Sequence, residues 1–467
     1  MHAVGVRIKT IKTKTPMKLS TYNKSIKSMP APVTLRRAFL YWLKLGFISF
    51  GGPAGQIAIM HRDLVERKRW ISEKRFLHAL NFCMVLPGPE AQQLATYIGW
   101  LMHRTCGGLI AGGLFVLPSF FILVSLTWVY LAYGDVPAVA GLLYGIKPAI
   151  VAIVLLAAYR IGSRTLRNKV LWAVSAAAFI AVAVFHVPFP AVILAAGLIG
   201  YFGSRLAPHY FEKEEAHGSG NDENRGALLD DSNPIPSHAV FSWTRLWQVA
   251  SAGLLIWLFA MGILSSLYGW DGTFTQMGWF FTKAALLTFG GAYAVLPYVY
   301  QGAVEHYLWL TPGQMIDGLA LGETTPGPLI MVVTFVGFVG GWATQVFGAE
   351  AKFASAFAGA AIVTFFTFLP SFVFIFMGGP FIETTHGKLA FTIPLRAITA
   401  AVVGVIFNLA LFFAYHVFWP HGLDERIDLF SLGLVVITTI AVFRFNVGMI
   451  PVIISCGLLG MTWRLLA

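Results

Sequence analysis

The chain has 467 residues, 57% of them hydrophobic and 12% charged, and carries a formal net charge of +12. Its mean hydropathy of +0.71 excludes a soluble globular protein. Apolar runs long enough to span about 30 Å of hydrocarbon recur along the chain, whereas the alternation over about ten residues that marks a membrane β-barrel is absent. The expected class is an all-α polytopic protein of the cell (inner) membrane, whose helices satisfy their own backbone groups.

Residues 1–35 are Lys-rich, and no acid precedes Asp63. This segment reads as a basic cytoplasmic tail. The net charge then reflects cytoplasmic loops and anionic headgroups, and nucleic acid is not an expected partner. Apolar segments follow near 38–60, 76–103, 108–132, 138–159, 170–186 and 188–203. From Phe211 to Pro236 the chain concentrates seven of its 21 acids with Gly, Asn and Pro, as a solvated linker does. One apolar segment covers 242–268, and six more lie near 276–300, 314–342, 353–378, 390–416, 429–444 and 447–465. The organisation expected is a tail at 1–35, a first repeat at 36–204, a hydrophilic linker at 205–241, a linking transmembrane helix at 242–270 and a second repeat at 271–467. Cys83, Cys106 and Cys456 lack metal-ligand spacing and read as packing residues; no metal or cofactor is expected.

The two blocks of six are copies. Sliding the chain by 239 residues superposes Lys44 on Lys283, "SFGGPA" on "TFGGAY", Trp70 on Trp309, and the Pro-Gly-Pro at Pro87 on that at Pro326, with no gap over 46 positions. "LPSF" at Leu117 recurs at Leu369 with an offset of 252, which implies a 13-residue insertion in the second copy. An even number of segments per copy, with one extra segment between them, predicts two inverted-topology repeats. Loop charge agrees: the loop from His61 to Arg75 carries six Lys or Arg and its counterpart from Gln301 to Pro312 none, so the first is expected inside and the second outside. Because tail and first loop are both basic, segment one either returns to the side it came from or breaks the charge rule. Broken or re-entrant geometry is favoured for segments one and two.

Pro-Gly-Pro removes two amide donors and blocks continuation, so each segment two should unwind and restart there, aiming free N–H groups and a positive dipole end inward. Kinking alone is the plain alternative. Two copies, each preceded by a Gly-Gly break, point instead to a substrate site near the midplane that attracts anions. The substrate-binding candidates are Lys44, Gly51, Gly52, Pro53, Gln56, Pro87, Gly88, Pro89 and Gln92 in the first copy, with Gln93 beside them. The second copy supplies Lys283, Gly290, Gly291, Pro326, Gly327 and Pro328. The two breaks of one repeat are expected to face each other, and two amines converging from both repeats would neutralise a dianion. Lys44 could equally snorkel to the membrane surface. Glu90, Glu323, Lys147 and Arg396 are candidates for coupling or charge balance, the two acids alternatively as helix caps or partners of the lysines, the two cations as interface anchors. Asp317 is a third, shallower acid.

The stretch "FGGPAGQIAIMHRDLVERKRWISEKRFLHALNFCMVLPGPEAQQLATYIGW" resembles the first half of the chromate ion transporter family, and "TFGGAYAVLPYVYQ" through "ETTPGPLIMVVTFVGF" resembles its second half. The resemblance covers roughly residues 34–465 and is to the long, two-domain form. One departure is Pro53, which is Ala292 in the second copy. The resemblance implies export of chromate across the cytoplasmic membrane and chromate resistance, with sulfate as a related oxyanion; uptake or exchange of sulfate or another oxyanion is the rival reading. The partners implied are chromate and sulfate in the lipid bilayer, and a homodimer is an open arrangement. No GxxxxGK, HExxH or GxSxG occurs, so a secondary transporter is expected rather than an ATP-driven pump or an intramembrane enzyme.

Overall fold

The computed structural model describes residues 32–206, 227–229, 236–385, 392–420, 422 and 426–466. The tail expected at 1–35 falls almost wholly outside them, as does most of the linker expected at 205–241. The first copy contains α1 (Leu35–Ile48), α2 (Gly52–Met60), α3 (Glu73–Val85), α4 (Glu90–Tyr133), α5 (Pro137–Thr165), α6 (Lys169–Ala183) and α7 (Phe189–Leu206). Helix α8 (Trp243–Tyr268) stands between the copies. The second copy contains α9 (Thr273–Leu286), α10 (Ala292–Tyr300), α11 (Pro312–Thr324), α12 (Val332–Thr344), α13 (Lys352–Thr385), α14 (Thr392–Phe418), α15 (Leu429–Arg444) and α16 (Met449–Leu466). No named β-strand occurs among the described residues, so the all-α polytopic class stands.

The duplication is carried into backbone detail. A π-helical turn follows α2 at His61–Arg67 and α10 at Gln301–His306. A left-handed residue closes each turn, Arg69 with φ 51° and Leu308 with φ 54°, 239 positions apart. Ser72 caps α3 by accepting from the Arg75 N–H, and Thr311 caps α11 through a reciprocal capping box with Gln314. Helix α4 is two helices: His103 and Arg104 leave helical φ/ψ, and the chain turns back there. Gly99 then faces Gly107, and Gly112 faces Thr96, too closely for a Cβ between them. In the second copy the same antiparallel pair is split into α12 and α13, with Gly337 against Gly359.

Segment one is a hairpin of half-helices. After α2 and its π-turn the chain returns to the start of α1, where the Trp70 ring lies 5.1 Å from Tyr41 and the Lys68 amine 5.3 Å from the Tyr41 ring. The second copy repeats the closure with Phe280 and Trp309 at 5.8 Å. Helix α3 folds back on the first half of α4 through Phe82 and Tyr97, 5.9 Å apart. With both ends of segment one together, basic charge at its start and in its following loop is consistent with a single side.

Among the described residues, six helices are long and apolar enough to cross a membrane. Helix α8 buries only 17% of its most apolar window, so its surface faces lipid. The packed interior gathers the hairpins: Trp42, Trp70, Tyr97 and Trp100 centre one cluster, and Phe281, Trp309 and Phe335 belong to a larger one. Cys83 and Cys456 are buried in these clusters as expected, whereas Cys106 is exposed.

Candidate functional site

Helix α1 stops at Ile48 and α2 begins at Gly52 because Gly51 takes φ +88° and Gly52 φ +69°, conformations that L side chains rarely adopt. Gly290 and Gly291, with φ +80° and +97°, do the same between α9 and α10. The Pro-Gly-Pro breaks end α3 and α11 through Gly88 at φ +125° and Gly327 at φ +101°. The two breaks of one repeat do not pair with each other as expected; each pairs with the opposite copy. The Gly327 N–H donates to the Ser49 carbonyl at 2.8 Å, and the Gly88 N–H donates to the Thr288 carbonyl at 2.8 Å. Ser49 and Thr288 are equivalent residues, as are Gly88 and Gly327, so exchanging the copies maps one bond onto the other. Four hairpin tips meet, and each repeat completes the other's broken backbone where lipid offers no donor.

Polar side chains line this meeting point. The buried Gln56 amide donates to the Gly327 carbonyl at 2.5 Å and to the Ser49 carbonyl at 3.3 Å. Gln93 donates to the Pro87 carbonyl at 2.7 Å, and Gln92 to the Thr96 hydroxyl at 3.1 Å. Ser371 packs on Gly88 and Ser119 on Gly327, again across the copies. The Ser119 and Ser371 hydroxyls are buried and have no hydrogen-bond partner, as do the side-chain oxygens of Gln56, Gln92 and Gln93. Uncommitted buried hydroxyls are costly unless a ligand or water uses them. These serines were absent from the sequence-based candidates, although the repeat of "LPSF" at offset 252 was the available signal.

Several predicted residues sit elsewhere. Lys44 is exposed on α1 and forms no ion pair among the described residues. Lys283 is half-buried, with its amine 5.4 Å from the Trp279 ring, in a separate cavity that contains no Pro-Gly-Pro residue. Lys147 on α5 pairs at 3.4 Å with Asp317 on α11, whose same oxygen accepts from Tyr130 on α4 at 3.0 Å. Arg396 lies at the start of α14, next to a small apolar cluster that includes Leu166 and Ala397. Glu90 is the first residue of α4, and Glu323 accepts from the Tyr293 hydroxyl in the last turn of α11; neither pairs with a lysine among the described residues. Pro53 is the second residue of α2 and Ala292 the first of α10, so the departure between copies leaves the break intact.

A second cross-copy contact was not foreseen. Arg75 on α3 pairs at 2.5 Å with Glu383 on α13, whose other oxygen accepts from Tyr97. Both charges are almost fully buried, at 5% and 6% exposure. Near it, the Ala227–Leu229 piece of the linker runs parallel to the first loop, bridging Ile71 to Leu229. No group of three or more His, Cys, Asp or Glu that could hold a metal ion occurs among the described residues.

The sequence is similar to that of known proteins. The family described as chromate transporter matches residues 36–201 and 275–461. A chromate transport protein of Pseudomonas aeruginosa is 30% identical over 448 residues, 93% of this chain and 93% of its own. One from Cupriavidus metallidurans is 29% identical over 375 residues, 80% of this chain and 81% of its own. An uncharacterized transporter of Methanocaldococcus jannaschii is 26% identical over 384 residues, 82% of this chain and 85% of its own. No solved structure matches.

Proposed function

The chain belongs to the chromate transporter family, and on that premise we propose that it is a secondary transporter exporting chromate through the meeting point of the four hairpin tips. The observation that carries the reading is the reciprocal pair of glycine breaks with the unpartnered Ser119 and Ser371 hydroxyls packed against them. A tetrahedral oxyanion needs hydrogen-bond donors around it, and each repeat contributes one buried hydroxyl with no partner, Ser119 and Ser371. The relatives named chromate transport proteins supply the substrate.

Outward movement needs no ATP. Each elementary charge is worth about 2.3 kcal/mol per 100 mV, so a dianion leaving an inside-negative cell gains about 4.6 kcal/mol, enough for roughly a thousandfold gradient. The repeats are inverted in this reading, with the His61 loop inside and the Gln301 loop outside, and access alternates as one hairpin pair docks and the other releases. Single cysteines in the two loops, labelled from outside, react only in the Gln301 loop; labelling of both rules out inversion.

The test of function is uptake of labelled chromate into everted vesicles, with and without excess sulfate and an imposed proton gradient. Accumulation above vesicles lacking the protein is expected, reduced by sulfate. Absence of accumulation under every gradient overturns the export reading.

A further inference from the structure

We propose that the cavity beneath the second repeat's π-turn is a second oxyanion station, separate from the hairpin tips, with Lys283 as its cation. This rests on the transport reading. The cavity measures about 660 Å³ and is bounded by α9, α10, the π-turn, α14 and the connection between α6 and α7. That volume is within the ordinary range for small-ligand sites.

Its chemistry is that of a donor set. The Lys283 amine lies over the Trp279 ring and has no carboxylate within ion-pairing distance among the described residues. An amine at membrane depth with only an aromatic face for compensation is under-neutralised, and an anion in the adjoining space removes the deficit. Gln301 uses its side-chain oxygen to accept from the Phe189 N–H at 3.0 Å, which fixes the amide and leaves its NH₂ to donate. Asn408 and the Tyr300 hydroxyl add further donors to the wall. Glu305 is the one acid among the lining residues, and it makes no ion pair with Lys283. His186 and His306 lie at the exposed rim.

The first copy places its equivalent lysine differently. Lys44, the equivalent of Lys283, is exposed and lines neither of the described cavities. The corresponding π-turn neutralises itself, with Arg62 and Arg67 3.4 and 3.6 Å from Asp63 and His61 3.3 Å from Glu66. A donor-rich basin around Lys283, without a counterpart around Lys44, makes the pathway polar: the anion finds a receiving site at the end that the Gln301 loop covers. By the loop-charge rule that end is external, where an exported oxyanion leaves.

The experiment is equilibrium binding of radiolabelled sulfate to the full chain in nanodiscs of zwitterionic lipid, with Lys283→Gln and Lys283→Arg beside the parent. The parent is expected to bind two sulfates per chain, Lys283→Gln one, and Lys283→Arg two. Two sulfates on Lys283→Gln, or one on the parent, overturns the second station. If Lys283→Gln fails to fold, repeating the parent titration with Lys283→Arg and Asn408→Leu decides it: a weakening of one site of at least fivefold in Asn408→Leu alone supports the proposal, and unchanged binding overturns it. Adding phosphatidylglycerol to the nanodiscs distinguishes a lipid headgroup from a free oxyanion; loss of one sulfate as that lipid is titrated in assigns the cavity to lipid and overturns the station. Failure of chromate to accumulate in vesicles while two sulfates still bind sinks the export reading and leaves this site standing.

Discussion

Helix α10 is enclosed by neighbouring helices and its copy α2 is not. Helix α10 packs against α14 and α7, and its Ala294, Val295 and Val299 are fully buried. Helix α2 packs on α4, and no comparable contact joins it to α5 or α16, the equivalents of α14 and α7. Gly51, Ala54 and Ala58 are exposed on it, as is Lys44 on α1. Equivalent sequences in unequal surroundings are what a two-state carrier requires, since each repeat must be able to adopt either arrangement. The contrast also separates Lys44 from Lys283, which are matched in sequence: a cavity forms around Lys283, and Lys44 stays at the surface.

The largest expected effect comes from the anchor between α3 and α13. Arg75→Ala strands the Glu383 carboxylate in the interior and should destabilise the fold by about 3–5 kcal/mol. Lys147→Ala leaves a carboxylate that is 5% exposed but keeps its bond from the Tyr130 hydroxyl, and it should cost less, about 1–3 kcal/mol. Thermal unfolding in detergent compares them; equal losses would show that the two anchors are alike and that burial does not separate them. Next come Gly88→Ala and Gly327→Ala. Each forces a Cβ into a strained φ and against Ser371 or Ser119, and a loss of about 1–2 kcal/mol from strain alone predicts a roughly five- to thirtyfold fall in chromate transport. A much larger fall in one than in the other would break the reciprocity of the tips.

Accessibility tests the enclosure itself. Ala58→Cys on α2 should react with a water-soluble thiol reagent at least tenfold faster than Ala294→Cys on α10, read by mass shift over time. Similar rates would mean that the open and enclosed arrangements exchange freely without substrate. The smallest effect belongs to the hydroxyls: Ser119→Ala and Ser371→Ala should each weaken apparent chromate affinity by about 0.5–1.5 kcal/mol, roughly two- to tenfold, and by similar amounts. Unchanged affinity in both removes the serines from the site.

Much of the fold was legible because it is written twice. The offset of 239 located all four breaks, and glycine and proline have so few backbone options that the helices had to stop where they do. Which break meets which was not legible, since pairing Ser49 with Gly88 or with Gly327 leaves the same sequence pattern. Arg75 and Glu383 are 308 positions apart and have no repeated counterpart, so nothing marked them as partners. The lysines misled for a related reason: a repeated residue guarantees an equivalent place in each copy, and equivalent places meet only on a symmetry axis. Pro53 stood out in sequence, yet α10 begins at Ala292 without a proline, because the glycines before it already set the turn.

The crossed bonds from Gly327 to Ser49 and from Gly88 to Thr288 bear on how such a chain came about. A half-length polypeptide would carry at its centre a donor and an acceptor that only a second polypeptide of the same design can match. Such a half is incomplete by construction and must assemble in pairs before it can persist in lipid. Joining two of them through α8 fixes the stoichiometry at one of each, and once they are joined the halves are free to diverge.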